Sequence, residues 1–142
     1  MRVADFAYNW TVAQAEPLDA IRTALSRPMS VVDITTTGRK TGKPRRIEIV
    51  MHNLDGRLYI SGQPRPERRG WLANLDAQPK FSLHLKRGVR ADLPAKAREI
   101  TDANERRQVL EGVARHWNRR DVDTMVRYSP LVEVTIDGFE SA

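Results

Sequence analysis

Apolar and polar residues alternate with a period of two in several short stretches of this chain, the signature of a half-buried β-strand. Ile47, Ile49 and Met51 alternate against Arg46, Glu48, Val50 and His52, which predicts a strand from Pro44 to His52. Phe81, Leu83 and Leu85 alternate against Ser82, His84 and Lys86, which predicts another from Lys80 to Arg87. Further strands are expected over Ser30 to Thr35, Arg57 to Ser61, Val89 to Ile100 and Leu131 to Asp137, with Pro94 marking a bulge or bend in the fifth. Asp55-Gly56 between the second and third is a hairpin signal, because both residues tolerate positive φ. A period near 3.6 appears elsewhere. Leu18, Ile21, Ala24 and Leu25 share a face of a short helix opened by Pro17, and Trp71, Leu72 and Leu75 sit on another from Arg69 to Ala77. Asp102 and Glu105 form a capping-box pattern ahead of the stripe Val109, Leu110, Val113, Ala114 and Trp117, and Asp121 to Tyr128 is a last short helix.

Six short strands at hairpin-like spacing pair antiparallel with their neighbours. Such strands must hide their edges, so the expected fold is mainly β, a small barrel with peripheral helices. No βαβ unit is visible, which disfavours a dinucleotide-binding sheet. The chain divides into residues 1–29, an N-terminal arm carrying Phe6, Tyr8 and Trp10 followed by the short helix, and residues 30–142, the barrel domain. At 142 residues this is one domain with a core of its own.

Composition narrows the chemistry. Zero cysteines exclude disulfides, thiolate metal sites and a Cys nucleophile, and a cytoplasmic home fits best. No apolar run near the length of a membrane span and no leader pattern is visible. His52, His84 and His116 are far apart and none has a two-ligand spacing, so each is expected on the surface or half-buried in a strand. A nucleophile-elbow motif is absent.

The net charge of +6 calls for an acidic partner, and its densest source is one stretch. Five of the eleven residues from Thr36 to Arg46 are basic and none is acidic. Gly38, Gly42 and Pro44 bracket the charges, which describes a tight anion-binding connection between two strands. A P-loop fails on context, because a strand rather than a helix follows. Arg65, Arg68 and Arg69 form a second basic cluster close to Trp71. These features fit a cofactor protein that orients a long anionic ligand and supplies little acid–base chemistry of its own. They also fit a barrel binding a polyanion such as nucleic acid, although only Tyr59 and Phe81 supply aromatics in strands, so nucleic acid is not the expected partner.

Two motifs carry a family resemblance. Thr35-Thr36-Thr37-Gly38-Arg39-Lys40-Thr41-Gly42-Lys43-Pro44-Arg45 is close to the Thr-Thr-Gly-Arg-Lys-Ser/Thr-Gly-x-Pro-Arg signature, and Trp71-Leu72-Ala73-Asn74-Leu75-Asp76-Ala77-Gln78-Pro79 to the Trp-x-x-Asn-Leu-x-Ala-x-Pro run, of the deazaflavin (coenzyme F420)-dependent nitroreductase-like family. The order of elements matches from about residue 30 to 137. The resemblance implies a split β-barrel of the FMN-binding type and a homodimer. It implies an F420H2-dependent oxidoreductase that passes a hydride to an electron-poor quinone, nitro compound or enone. It places the cofactor's phosphate and glutamate tail against Thr37, Gly38, Arg39, Lys40, Thr41, Gly42 and Arg45, with Ser61, Arg65, Trp71 and Asn74 also near the cofactor. Ser61 and Tyr128 are the residues it offers as hydrogen-bond donors in catalysis. Because related split barrels use FMN, that cofactor is the alternative. Some members associate weakly with membranes, which extends the expectation to peripheral contact through Phe6, Tyr8 and Trp10. The chain departs from the pattern at Glu48 and Val50, and at Gly62-Gln63-Pro64-Arg65-Pro66, where many members have Lys-Gly-Gly.

Overall fold

The computed structural model describes residues 18–139; the arm with Phe6, Tyr8 and Trp10 lies outside them. Six strands close into one antiparallel barrel, in the order β1-β2-β3-β6-β5-β4 and back to β1. They are β1 (Met29–Thr37), β2 (Pro44–Leu54), β3 (Arg57–Ser61), β4 (Lys80–Leu85), β5 (Ala91–Glu99) and β6 (Leu131–Ile136). Closure is made by β1 pairing with β4, Val32 opposite Leu85 and Ile34 opposite Leu83. A closed ring leaves no exposed sheet edge.

Alternation decides which residues enter the barrel. Val32, Ile34, Met51, Leu58, Ile60, Phe81, Leu83, Leu85, Leu93, Ala95, Val134 and Ile136 all belong to one buried cluster. A helix over residues 18–25, α1, sends Ile21, Ala24 and Leu25 into the same cluster. The helix α2 (Gly70–Ala77) adds Leu72 and Leu75. Both helices therefore close off the barrel core rather than sit apart from it.

A second apolar cluster lies outside the barrel wall. Tyr59 and Leu131 face outward from β3 and β6 and are covered by α3 (Ala103–Trp117) and α4 (Val122–Tyr128), through Val109, Leu110, Val113 and Met125. The close approach of α3 depends on Gly112, where a Cβ would lie 2.8 Å from a methyl of Leu54. The cap of α3 is half the expected box. Asp102 accepts from the Glu105 N–H at 2.9 Å, but the Glu105 carboxylate turns to Arg98 instead of reaching back.

Two local expectations change. Pro94 causes no bulge, since β4 and β5 run in continuous register with Ser82 opposite Pro94. The ring nitrogen is tolerated because the β5–β6 pairing begins one residue later, at Ala95. The strands around Gly88 are shorter than expected. Residues 86–90 make a wider turn, with Gly88 at φ +81° and the Arg27 guanidinium donating to the Arg87 carbonyl at 3.2 Å. The Asp55-Gly56 hairpin is as expected, with φ of 54° and 88°. No helix of the described residues is long and apolar enough to cross a membrane.

Candidate active site

The basic connection is a six-residue loop, 38–43, joining β1 to β2 above the mouth of the barrel. It is closed by the Gly38 N–H donating to the Lys43 carbonyl and the Gly42 N–H to the Gly38 carbonyl, each at 2.8 Å. Gly42 sits at φ +71°, where a side chain would be strained. Gly38 is needed for space, since a Cβ would meet the Lys43 carbonyl and the Thr41 hydroxyl oxygen, both at 3.0 Å. The Thr41 hydroxyl in turn accepts from the Lys43 N–H at 3.2 Å.

Strand register sorts the five cations. Arg45 pairs with Thr36, whose side chain is on the inner face, and Arg46 pairs with Thr35 on the outer face. Arg46 then donates to Asp33 at 3.0 Å. Lys86 and Arg46 together hold the Asp33 carboxyl below its ordinary range. Arg46 is thus neutralised outside the barrel. Among the described residues no carboxylate pairs with Arg39, Lys40, Lys43 or Arg45.

Helix α2 supplies the opposite wall. Its buried Asn74 accepts from both the backbone N–H and the guanidinium of Arg39, at 3.1 and 3.0 Å, and donates to the Thr36 hydroxyl at 3.1 Å. Trp71 packs against the barrel core and shows its other side to the loop. Between loop, strand and helix lies a groove of about 490 Å³ lined by Thr36, Gly38, Arg39, Lys40, Thr41, Arg45, Ile47, Gly70, Trp71 and Asn74.

Seven of the residues singled out in the sequence, Gly38, Arg39, Lys40, Thr41, Arg45, Trp71 and Asn74, line this groove. Thr37 and Gly42 belong to the hairpin but not to the lining. Arg65 and Tyr128 line a separate hollow of about 290 Å³ on the other side of the α2 start, where Arg69 and Leu72 face. Ser61 lines neither: it is 1% exposed and its hydroxyl donates to the Pro130 carbonyl at 2.7 Å. It follows Tyr59 on the outer side of β3, which is why it turns away from the barrel mouth. Thr36, Ile47 and Gly70 are groove residues that motif reasoning missed; the first two follow from the hairpin register and the β2 alternation.

The histidines also depart from expectation. His52 is wholly buried under α3, its Nδ1 2.9 Å from Nδ1 of His116, with the rings stacked. Burial first, then the neighbouring His116, pushes its pKa down to about 4. His84 is buried on the outer face between Thr35 and Asp92, each at 2.7 Å.

Residues 11–137 match the family model of the F420H(2)-dependent quinone reductases. Among solved structures, the chain is similar to an F420-H2 dependent reductase (FDR-A), at 24% identity and TM-score 0.58 over 77% of this chain and 95% of that one. It is similar to a protein described as a domain-swapped dimer, at 23% identity and TM-score 0.57 over 91% and 99% of the two chains. It also resembles a putative pyridoxamine 5'-phosphate oxidase of Listeria innocua, at 10% identity and TM-score 0.61 over 84% and 92%. These likenesses establish the split-barrel type of fold. The groove suits the family's cofactor chemically: unpaired guanidinium and ammonium groups for a phosphate and glutamate tail, and Ile47 and Trp71 for an apolar surface. The chain therefore belongs to the F420H(2)-dependent quinone reductase family and is an oxidoreductase that uses coenzyme F420.

Proposed function

We propose that the groove between the 38–43 loop and α2 seats F420, with Arg39, Lys40, Thr41 and Arg45 holding its phosphate and glutamate tail. The observation that carries this reading is the set of cations around one groove with no carboxylate among the described residues to neutralise them. Asn74 acts on Arg39, fixing its guanidinium and backbone so that the remaining donors point one way. Bound F420H2 supplies a hydride to an electron-poor acceptor such as a quinone, a nitro compound or an enone. The chain's own task is then to bind, orient and stabilise charge as it develops on the acceptor oxygen. Tyr128, 40% exposed in the neighbouring hollow, is the phenol that donates there. Ser61 is a positioning residue, since its hydroxyl holds Pro130, two residues from Tyr128, in the wall of that hollow.

The protein is proposed to work as a homodimer, a reading supported by the likeness to a domain-swapped dimer. We place it in the cytoplasm, since a chain without cysteine needs no oxidising compartment. The test of the function is F420H2 oxidation, followed by loss of the reduced cofactor with a quinone, a nitro compound and an enone as acceptors, alongside reduced FMN. Acceptor-dependent turnover with F420H2 and none with FMN is the expected result. Turnover with reduced FMN alone would replace the cofactor assignment, and light scattering at a monomer mass would remove the dimer.

A further inference from the structure

The second hollow holds more positive charge than the fold uses. Arg65, Arg68, Arg69, Arg106, Arg127 and Tyr128 line it, at about 290 Å³. Arg68 is consumed by Glu99, through two hydrogen bonds of 3.0 and 3.1 Å, and lies 3.9 Å from Asp76. With that pair set aside, four guanidiniums face a single lining carboxylate, Glu67, which forms no ion pair among the described residues.

The four differ in what they can do. Arg106 is spent on the backbone: it donates to the carbonyls of Ile100 and Val126 at 2.9 Å and of Ser129 at 2.6 Å. It ties α3 to the end of α4 and leaves a partly buried charge with no bonded carboxylate beneath the hollow. Arg69 is likewise bound to the carbonyls of Gln63, Arg65 and Glu67. Burial and the Arg65 charge depress its pKa, a sign of crowding among like charges. Arg65 and Arg127 are exposed and pair with no carboxylate among the described residues; Arg127 rests 5.9 Å over the ring of Tyr128.

We infer that this hollow is the subsite for a carboxylate on the electron-accepting substrate, gripped by Arg65 and Arg127. The inference rests on the reading of the loop groove as the cofactor's seat, since the anions of F420 are then matched on the other side of α2. Tyr128 lies in the same hollow, so a carboxylate held there keeps the rest of the acceptor beside the phenol. The enzyme's preferred acceptors are acids, and neutral analogues bind less well for lack of a partner to these cations.

The test compares a naphthoquinone bearing a propionate side chain with its primary amide. Binding is read by calorimetry to the chain alone and to the F420-loaded chain, for wild type and Arg127→Gln. Wild type should bind the acid about tenfold or more tighter than the amide, as loss of one charge-assisted contact implies. Arg127→Gln should erase most of that preference and leave F420 affinity unchanged. Equal binding of acid and amide by wild type overturns the inference. So does a loss of F420 affinity in Arg127→Gln as large as the loss for the acid, which would give the hollow to the cofactor's own phosphate. Failure of the cofactor reading has a different signature, no F420 binding by wild type, and the acid–amide comparison on the chain alone then still decides the subsite.

Discussion

Asn74 Oδ1 accepts two hydrogen bonds from Arg39, one from its backbone N–H and one from its guanidinium, at 3.1 and 3.0 Å. The asparagine comes from α2 and the arginine from the β1–β2 loop, so one side chain joins the two walls of the groove. A buried carboxamide is suited to this, because it also donates to Thr36 without placing a negative charge beside the cations.

Replacing Asn74 separates positioning from charge. Asn74→Ala should cost about 1–3 kcal/mol of stability, because Thr36 and Arg39 lose buried partners. It should also weaken F420 binding about tenfold while leaving every cation in place. Asn74→Asp keeps the acceptor but neutralises Arg39 locally, so cofactor affinity should fall further than its stability does. Denaturant titration and fluorescence titration with F420 read the two effects separately.

Gly38→Ala tests the loop's shape. The new Cβ meets two oxygens at 3.0 Å, the Lys43 carbonyl and the Thr41 hydroxyl, and both are engaged in the loop's own hydrogen bonds. The loop must open, at a cost of roughly 1–3 kcal/mol. Cofactor affinity should drop while the far-ultraviolet circular dichroism of the barrel stays unchanged.

Acid stability should carry the signature of His52. Its pKa lies near 4 in the folded chain against 6.5 as the ordinary value, so the unfolded chain binds more protons between these limits. Stability is therefore fully present above about pH 6.5 and declines as pH falls towards 4. The drop from 6.5 to about 4 is worth roughly 3 kcal/mol at the acid end. His52→Gln should be less stable at pH 7.5, for its buried site, and should lose less on acidification. Urea unfolding at pH 7.5 and 4.5 compares the two proteins; parallel losses would contradict the assignment.

Ser61→Ala should reduce stability by about 1–2 kcal/mol, because the Pro130 carbonyl loses a buried donor. F420 affinity should hold, with the change appearing in turnover through Tyr128 and the 128–130 segment. A large loss of F420 affinity would place the hydroxyl at the cofactor instead.

Much of this architecture was legible in the chain because it is local. Ile47, Ile49 and Met51, or Phe81, Leu83 and Leu85, announce their inward face by simple alternation. Asp55-Gly56 announces its turn, and the clustered charges of the 38–43 loop announce the basic wall of a groove. What could not be read is pairing across distance. His52 and His116 are 64 residues apart, and nothing in either neighbourhood says that one will stack on the other beneath α3. The neutralisation of Arg46 by Asp33 needs the β1–β2 register, and the burial of Ser61 needs the position of Pro130, 69 residues on. The same limit split the candidate site: Arg65 and Tyr128 joined the loop residues in the sequence reading, and the start of α2 stands between them.

Titration of wild type and of the Lys40→Ala, Arg45→Ala double variant with F420, followed by cofactor fluorescence, tests directly whether the loop cations bind the cofactor. Each charge-assisted contact is worth about 1.5–3 kcal/mol, so the double variant should bind at least about a hundredfold more weakly while unfolding at the same denaturant concentration. Equal affinity of the two proteins for F420 would move the cofactor out of this groove.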